Sequence, residues 1–393
     1  MPAPTVTGEI QWDLIGSIDS ASVANGGGEF SAVGFEDGYV LLDMTRTIQF
    51  SSDGVTWTRV RLPVAEGSAL GAQSAATDGA RVLLVGSYTP CRTSAYNSDP
   101  FGRCRGRPAS WLSDDGLTWL PSDPWAGPIG PKGQAGSDFV AAWSLPTGAW
   151  EAAQALYTGD ESDEGYWIGP ALWRSEDARE WTMLREMPAE PSSMCDPYWL
   201  ADAFWAVADV DGRRVAHEAF ECEGGGAYLS MSLDGQRYER IETFPGDGVW
   251  VGQGLAPVGS GSSWLWQGGR QVSDNASEAL TWASDDLVGW TTTVLPVTSQ
   301  GTQALVWALA HGDVGYVATG LAGPAGGYDR AVTWMSAEGT VWRIADTQPS
   351  KTFAIEQIMD GPAGMLGLGS VLVSETEDES TYMLDVWRLK DLR

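Results

Sequence analysis

The sequence predicts an all-β fold: a seven-bladed β-propeller of four-stranded antiparallel blades, closed by an N-terminal strand that completes the last blade. Three observations predict it. One turn motif recurs six times, a second turn recurs upstream in each unit, and the last unit lacks an outgoing strand that the first residues can supply. Apolar runs such as Val82-Leu83-Leu84-Val85 and Tyr316-Val317-Ala318 flank the turns, and no segment sustains a helical period.

The recurring motif reads Ser, any residue, an acid, three variable residues and an aromatic. It occupies Ser51–Trp57, Ser113–Trp119, Ser175–Trp181, Ser232–Tyr238, Ser284–Trp290 and Ser336–Trp342, with Ser-to-Ser spacings of 62, 62, 57, 52 and 52 residues. A tryptophan stands two positions before the serine at Trp111, Trp173, Trp282 and Trp334. An acid followed by glycine favours a tight hairpin, because the carboxylate accepts nearby backbone N–H groups and glycine tolerates positive φ. The closing aromatic gives each repeat a large apolar group to bury. Fixed-period self-similarity of this length is the signature of stacked units that cannot cover their own apolar faces.

The upstream turns are Asp37-Gly38, Asp78-Gly79, Thr147-Gly148, Asp211-Gly212, Ser260-Gly261, the stretch 312–315, and Asp360-Gly361. Each unit therefore reads as strands A to D in one domain. The blades fall at roughly 21–63, 67–124, 133–188, 195–245, 249–296, 300–346, and 350–393 joined by 9–16. The segment Ser22 to Gly34 is expected to be strand A of blade 1. In the last unit Trp387 begins a motif 53 residues after Trp334, and the sequence stops at Arg393. Trp12-Asp13-Leu14-Ile15 resembles the outgoing Trp57-Thr58-Arg59-Val60, so the N-terminal segment is expected to close the ring and leave no long sheet edge.

Composition narrows the partners. With 23 basic and 52 acidic residues among 393, the net charge is −29, which repels nucleic acid and anionic lipid. No stretch approaches the length of an apolar membrane helix, so direct insertion is not expected. The start, Met1-Pro2-Ala3-Pro4, has no leader-like apolar region, which fits a mature form whose leader was removed. The four cysteines, Cys91, Cys104, Cys195 and Cys222, show no C-x-x-C spacing; disulfides in an oxidising compartment are the first reading and buried thiols the second. An extracellular or cell-surface protein is expected, and neither ligand nor oligomeric state is specified.

The six motifs resemble Asp-box (BNR) repeats of the sialidase-like superfamily, over nearly the whole chain. They carry one residue fewer between acid and aromatic than the commonest form; Glu338 replaces Asp and Tyr238 replaces Trp. The resemblance implies that the Asp-box turns lie opposite the ligand face, so the B–C and D–A loops share that face. Long insertions agree: 87–108, 158–169 and 374–380 in B–C loops, and 121–137 in a D–A connection. Cys91 and Cys104 share the blade 2 insertion, while Cys195 precedes strand A of blade 4 and Cys222 lies in its B–C loop. Pairing within each set would stiffen those loops.

Candidate ligand-binding residues sit in these loops. Arg92, Arg103, Arg105 and Arg107 crowd the blade 2 insertion and suit an anion subsite; internal pairing with Asp160, Glu161, Asp163 and Glu164 is the more ordinary reading. Trp125, Tyr166, Trp167, Tyr198, Trp199 and Trp250 offer rings that could stack on sugars or anchor a protein, against the ordinary alternative of blade packing. The acidic runs 160–164 and 375–379 lack the ordered spacing of a calcium loop, so no metal and no cofactor is expected.

A sialidase resemblance implies an arginine triad, a Tyr–Glu nucleophile pair and an Asp acid/base. The Arg-Ile-Pro motif is missing from blade 1, where Asp43 and Arg46 are the nearest candidates. His217, in a strand of blade 4, and His311, at an A–B turn, read as structural. Without a recognisable catalytic set, the leading expectation is an extracellular, non-enzymatic module that binds a glycan or a protein partner. A sialidase-like glycoside hydrolase or polysaccharide lyase is the alternative, and a scaffold subunit of a cell-surface assembly the third reading.

Overall fold

The computed structural model describes residues 10–19, 23–24, 30–43, 47–63, 69–89, 107–122, 134–145, 147–158, 166–186, 204–210, 213–220, 226–232, 239–240, 249–251, 258–260, 263–273, 275–286, 288–297, 303–324, 327–349, 355–375 and 379–391. Among them all regular structure is β, and the strands group into seven antiparallel sheets.

Blade 1 holds Ser31–Phe35, Gly38–Leu42, Ile48–Ser51 and Thr58–Val60 as strands A to D. Blade 2 holds Ala69–Thr77, Val82–Thr89, Arg107–Ser113 and Leu120–Pro121. Blade 3 holds Gln134–Ser144, Trp150–Thr158, Tyr166–Ser175 and Thr182–Glu186. Blade 4 holds Phe204–Val210, Arg213–Phe220, Gly226–Ser232 and Glu239–Arg240. In blade 5, strand A is two pieces, Val249–Val251 and Val258–Ser260, on Ser263–Ser273, followed by Ala276–Ser284 and Thr291–Val294. Blade 6 holds Gln303–Gly312, Gly315–Gly323, Arg330–Ser336 and Arg343–Pro349.

The last sheet joins the two ends of the chain. Gln357–Met359, Leu366–Glu375 and Glu379–Asp391 are strands A to C, and Ile10–Asp19 is strand D. Trp12 lies opposite Leu389 and Leu14 opposite Trp387. The expected strand A of blade 1 departs from the sequence reading. It begins only at Ser31, while Val23 and Ala24 pair with Ser380 and Glu379. Val23 and Ala24 thus pair with the same blade 7 strand as Ile10–Asp19.

Neighbouring sheets are stitched by polar and apolar contacts. Ser31 Oγ accepts from Ala75 N–H at 3.1 Å between blades 1 and 2, and Ser144 Oγ donates to the Thr77 carbonyl at 2.8 Å between blades 2 and 3. Gln267 Nε2 donates to the Trp307 carbonyl at 2.9 Å between blades 5 and 6, and Thr319 Oγ1 to the Ile355 carbonyl at 2.9 Å between blades 6 and 7. Gln357 ties blade 7 back to blade 1: its Nε2 donates to the Phe30 carbonyl at 2.6 Å and its Oε1 accepts from Ala32 N–H at 2.9 Å. Tyr39, Leu41, Leu366 and Leu384 form the apolar layer across that seam. Trp111, Trp150, Trp266, Trp282 and Trp334 are fully buried, each large apolar side chain contributing about 1.5–3 kcal/mol of burial free energy.

The C–D turns show why their motif recurs. In blade 1, Ser51 Oγ donates to Asp53 Oδ1 at 3.0 Å and accepts from Gly54 N–H at 2.8 Å, while Asp53 Oδ1 accepts from Val55 and Thr56 N–H, both at 2.8 Å. The same pattern holds Asp115 of blade 2, Asp177 of blade 3 and Asp286 of blade 5. The residue after the acid takes a left-handed conformation: φ is 73° at Gly54 and 70° at Gly116. A Cβ at Gly116 would stand 2.3 Å from Phe50 of blade 1, and one at Gly54 would stand 2.4 Å from Leu366 of blade 7. Each turn therefore seats a bare backbone on the preceding blade. In blade 3 the position is Ala178, at φ 60°, and its carbonyl accepts from Ser110 Oγ of blade 2 at 2.8 Å.

Candidate active site

Antiparallel alternation places the ends of strands B and D and the starts of strands A and C at one end of the sheets, opposite the C–D turns. Two buried or half-buried carboxyl groups stand at that end in adjacent blades. Asp43 follows strand B of blade 1 and is 2% exposed. Its Oδ1 accepts from Thr47 N–H at 3.0 Å and its Oδ2 from Gln49 Nε2 at 3.2 Å, and its own N–H donates to the Thr47 carbonyl. The carboxylate is thereby fixed across the base of the B–C loop.

Glu356 immediately precedes strand A of blade 7, and its N–H donates to the Leu368 carbonyl at 2.8 Å. Its Oε1 accepts from Ser370 N–H at 3.0 Å and from Ser370 Oγ at 2.5 Å. Burial pushes the Glu356 carboxyl above the ordinary glutamate range, and the two hydrogen bonds from Ser370 offset only part of that rise. The adjacent Gln357 bridges to Phe30 and Ala32, so the Glu356 backbone is anchored to blade 1. The arrangement brings a carboxyl of raised proton affinity on blade 7 and a buried, hydrogen-bonded carboxyl on blade 1 to the same end of adjacent sheets.

A second raised carboxyl lies elsewhere. Asp360, at the A–B turn of blade 7, is pushed up by burial and by the Asp313 carboxylate, with the His311 side chain pulling the other way. It belongs to the end that carries the C–D turns. There His311 packs edge-on against Tyr316, with ring centroids 4.6 Å apart. Glu151, fully buried, accepts from Trp143 Nε1 at 3.2 Å and faces Arg174 Nε at 3.4 Å.

Of the residues singled out from the sequence, Arg107 opens strand C of blade 2 opposite Tyr88. Tyr166 and Trp167 open strand C of blade 3 opposite Thr158 and Tyr157, and Trp250 lies in strand A of blade 5 opposite Gly269. These four occupy three different blades. Arg92, Arg103, Arg105, Trp125, Tyr198, Trp199 and the cysteines Cys91, Cys104, Cys195 and Cys222 lie outside the described residues, as do Arg46 and the acidic run 160–164. Among the described residues no group of three or more His, Cys, Asp or Glu could hold a metal ion, and no helix is long and apolar enough to cross a membrane. Glu356 has no motif around it; its signal is a contact with a serine 14 residues away.

No protein-family profile and no curated protein matches the chain. Solved structures do. A Trypanosoma rangeli sialidase in complex with 2,3-difluorosialic acid, as a covalent intermediate, superposes with a TM-score of 0.50 at 10% identity, covering 97% of this chain and 59% of the sialidase. A Bombyx mori GH32 β-fructofuranosidase gives a TM-score of 0.41 at 11% identity, covering 98% of this chain and 94% of the other. The chain spans 59% of the length of the sialidase it matches. The first expectation of function, a non-enzymatic binding module, is corrected here: the structure that superposes on 97% of this chain is that of an enzyme, a sialidase. At 10% identity the likeness bears on architecture, and the chain has an all-β propeller of sialidase-like fold.

Proposed function

We propose that this chain is a glycoside hydrolase of sialidase-like architecture, in which Glu356 donates a proton to the leaving glycosidic oxygen and Asp43 is the second carboxylate. The observation that carries this reading is the burial-raised carboxyl of Glu356, one blade from Asp43 at the loop end of the sheets. Glycoside hydrolysis needs two carboxyl groups in unlike environments, one holding its proton and one ionised. Strand A of blade 1, Ser31–Phe35, contains no arginine, so an arginine triad of the sialidase type is not part of this proposal.

Under the same reading the recurring turns are Asp-box repeats, the chain forms one propeller domain, and a glycan is the partner met outside the cell. Cys91 with Cys104, and Cys195 with Cys222, would be disulfide pairs bracing loops near the substrate. The test is a panel of neutral and acidic aryl glycosides and oligosaccharides, assayed for released reducing ends and for unsaturated products. Glu356→Gln should lower kcat/KM by about 10²–10⁴-fold on any substrate hydrolysed, the usual contribution of a general acid. Undiminished turnover in that variant removes Glu356 from the reaction; unsaturated products would replace hydrolysis by elimination.

A further inference from the structure

We infer a second, non-catalytic site: a cleft between blades 1 and 2 in which Arg59 and Arg61 bind an oxyanion, the carboxylate or sulfate group of a small ligand. This goes beyond the proposed hydrolysis and does not depend on it. The cleft encloses about 340 Å³, within the range of small-molecule sites. Its walls are Ile48, Leu62 and Ala72, carried by both blades, and Thr47 and the two arginines line it as well.

The chain carries 52 acidic and 23 basic residues, so a cation here has many carboxylates to choose from. Arg81, Arg174, Arg270 and Lys390 each lie within ion-pair distance of one, Asp78, Glu151, Glu278 and Asp13 respectively. Arg59 and Arg61, both exposed, have no carboxylate partner among the described residues. Among the described residues, the one hydrogen bond on either guanidinium runs from Arg59 Nη2 to Thr47 Oγ1 at 2.9 Å. Thr47 is itself held through its N–H by Asp43. The Arg59 head is therefore placed in advance, with N–H groups that no described residue takes up.

Guanidinium forks match the spacing of carboxylate and sulfate oxygens, and two of them beside an apolar wall suit an anionic group on a carbon framework. The cleft touches the proposed site only through Thr47, which Asp43 holds, and its arginines stand away from Glu356. Arg59 is on strand D, at the far edge of its sheet from strand A, whereas Glu356 lies at the start of strand A in blade 7.

The experiment is calorimetric titration of the whole chain with sodium sulfate, glucuronate, glucose 6-sulfate and glucose, repeated on Arg61→Gln, on the double variant Arg59→Gln/Arg61→Gln and on Glu356→Gln. Saturable binding of at least one anion is expected, with no binding of glucose. Arg61→Gln should weaken it at least tenfold, the double variant should lose it, and Glu356→Gln should bind as the parent does. Glucuronate or glucose 6-sulfate binding more tightly than sulfate identifies a glycan-borne acid; equal affinities identify a free anion. Both arginines are exposed, so the variants keep their core, which an unchanged thermal midpoint checks. Anions that bind no better than glucose, or binding that survives the double substitution, would overturn the inference. A chain that hydrolyses nothing yet binds these anions would sink the hydrolase reading and leave this one standing.

Discussion

The carboxylates of the C–D turns and the carboxyl of Glu356 are the same chemical group put to opposite uses. At the turns, backbone N–H groups converge on an ionised aspartate. The N–H groups of Thr56 and Val55 bring the Asp53 carboxyl down to about 2, and that of Thr118 lowers Asp115. Asp177 feels burial as its largest influence, yet the N–H groups of Glu180 and Arg179 still bring it below the ordinary value. At the start of blade 7 strand A, burial wins instead, and Glu356 holds its proton more tightly than a free glutamate. The difference teaches that donor number against desolvation, and not residue type, separates a structural acid from a candidate proton donor in a chain full of acids.

The sharpest way to break this contrast is to damage a turn and ask whether chemistry follows. Gly116→Ala places a Cβ 2.3 Å from the Phe50 ring at a φ of 70°, so ring or turn must move. Overpacking of this kind should cost about 1–3 kcal/mol in urea unfolding. If the turns are structural only, kcat/KM of the folded fraction stays at the parent value. A matching fall in kcat/KM would show that the two ends are coupled.

A smaller effect sharpens the electrostatic half. Because Asp53 binds its proton less tightly when folded, the native state holds fewer protons than the unfolded chain between the ordinary value of 3.8 and about 2. Its contribution is fully present above the ordinary value and is lost as pH falls toward about 2. Asp53→Asn keeps an oxygen for the Val55 and Thr56 N–H groups but cannot ionise. Acid titrations of stability should therefore show a shallower decline for the variant across that window. Curves of equal steepness would mean that the turn draws nothing from the ionised state.

How much of this was legible beforehand follows the same divide. The turns repeat at near-constant spacing, and every copy must seat on its neighbour, so Ser51, Asp53 and Gly54 and their counterparts stand out without coordinates. The pairing of Trp12 and Leu14 with the segment around Trp387 was legible for a related reason, since a unit short of one strand implies the partner that fills it. Glu356 was not legible. It is one of 52 acidic residues, and what distinguishes it is Ser370, brought close by the Gln357–Met359 and Leu366–Glu375 hairpin. Arg59, in the outgoing strand after Trp57, and Arg61 just beyond it were not legible, since exposed polar residues are ordinary on an edge strand. The late start of strand A in blade 1 was missed because Val23 and Ala24 are as strand-like as Ala32 and Val33; only the free edge beside Ser380 decides where they pair.

The smallest expected effect is also the one that tests the sign of the contrast. Glu356 binds its proton more tightly in the native state, so above the ordinary glutamate value of 4.5 the native chain holds more protons than the unfolded one. Stability from this residue therefore falls as pH rises through that window, opposite to Asp53, and the full cost of ionising a buried carboxyl is reached only above its raised value. Glutamine keeps an oxygen for the Ser370 N–H and hydroxyl and never ionises. Glu356→Gln should match the parent near pH 4 and become the more stable of the two as pH rises, by an amount read from parallel urea titrations. A parent and variant that keep a constant difference from acid to neutral pH would mean that Glu356 ionises freely in the native chain. The hydrolase reading would then lose its proton donor even if turnover were found.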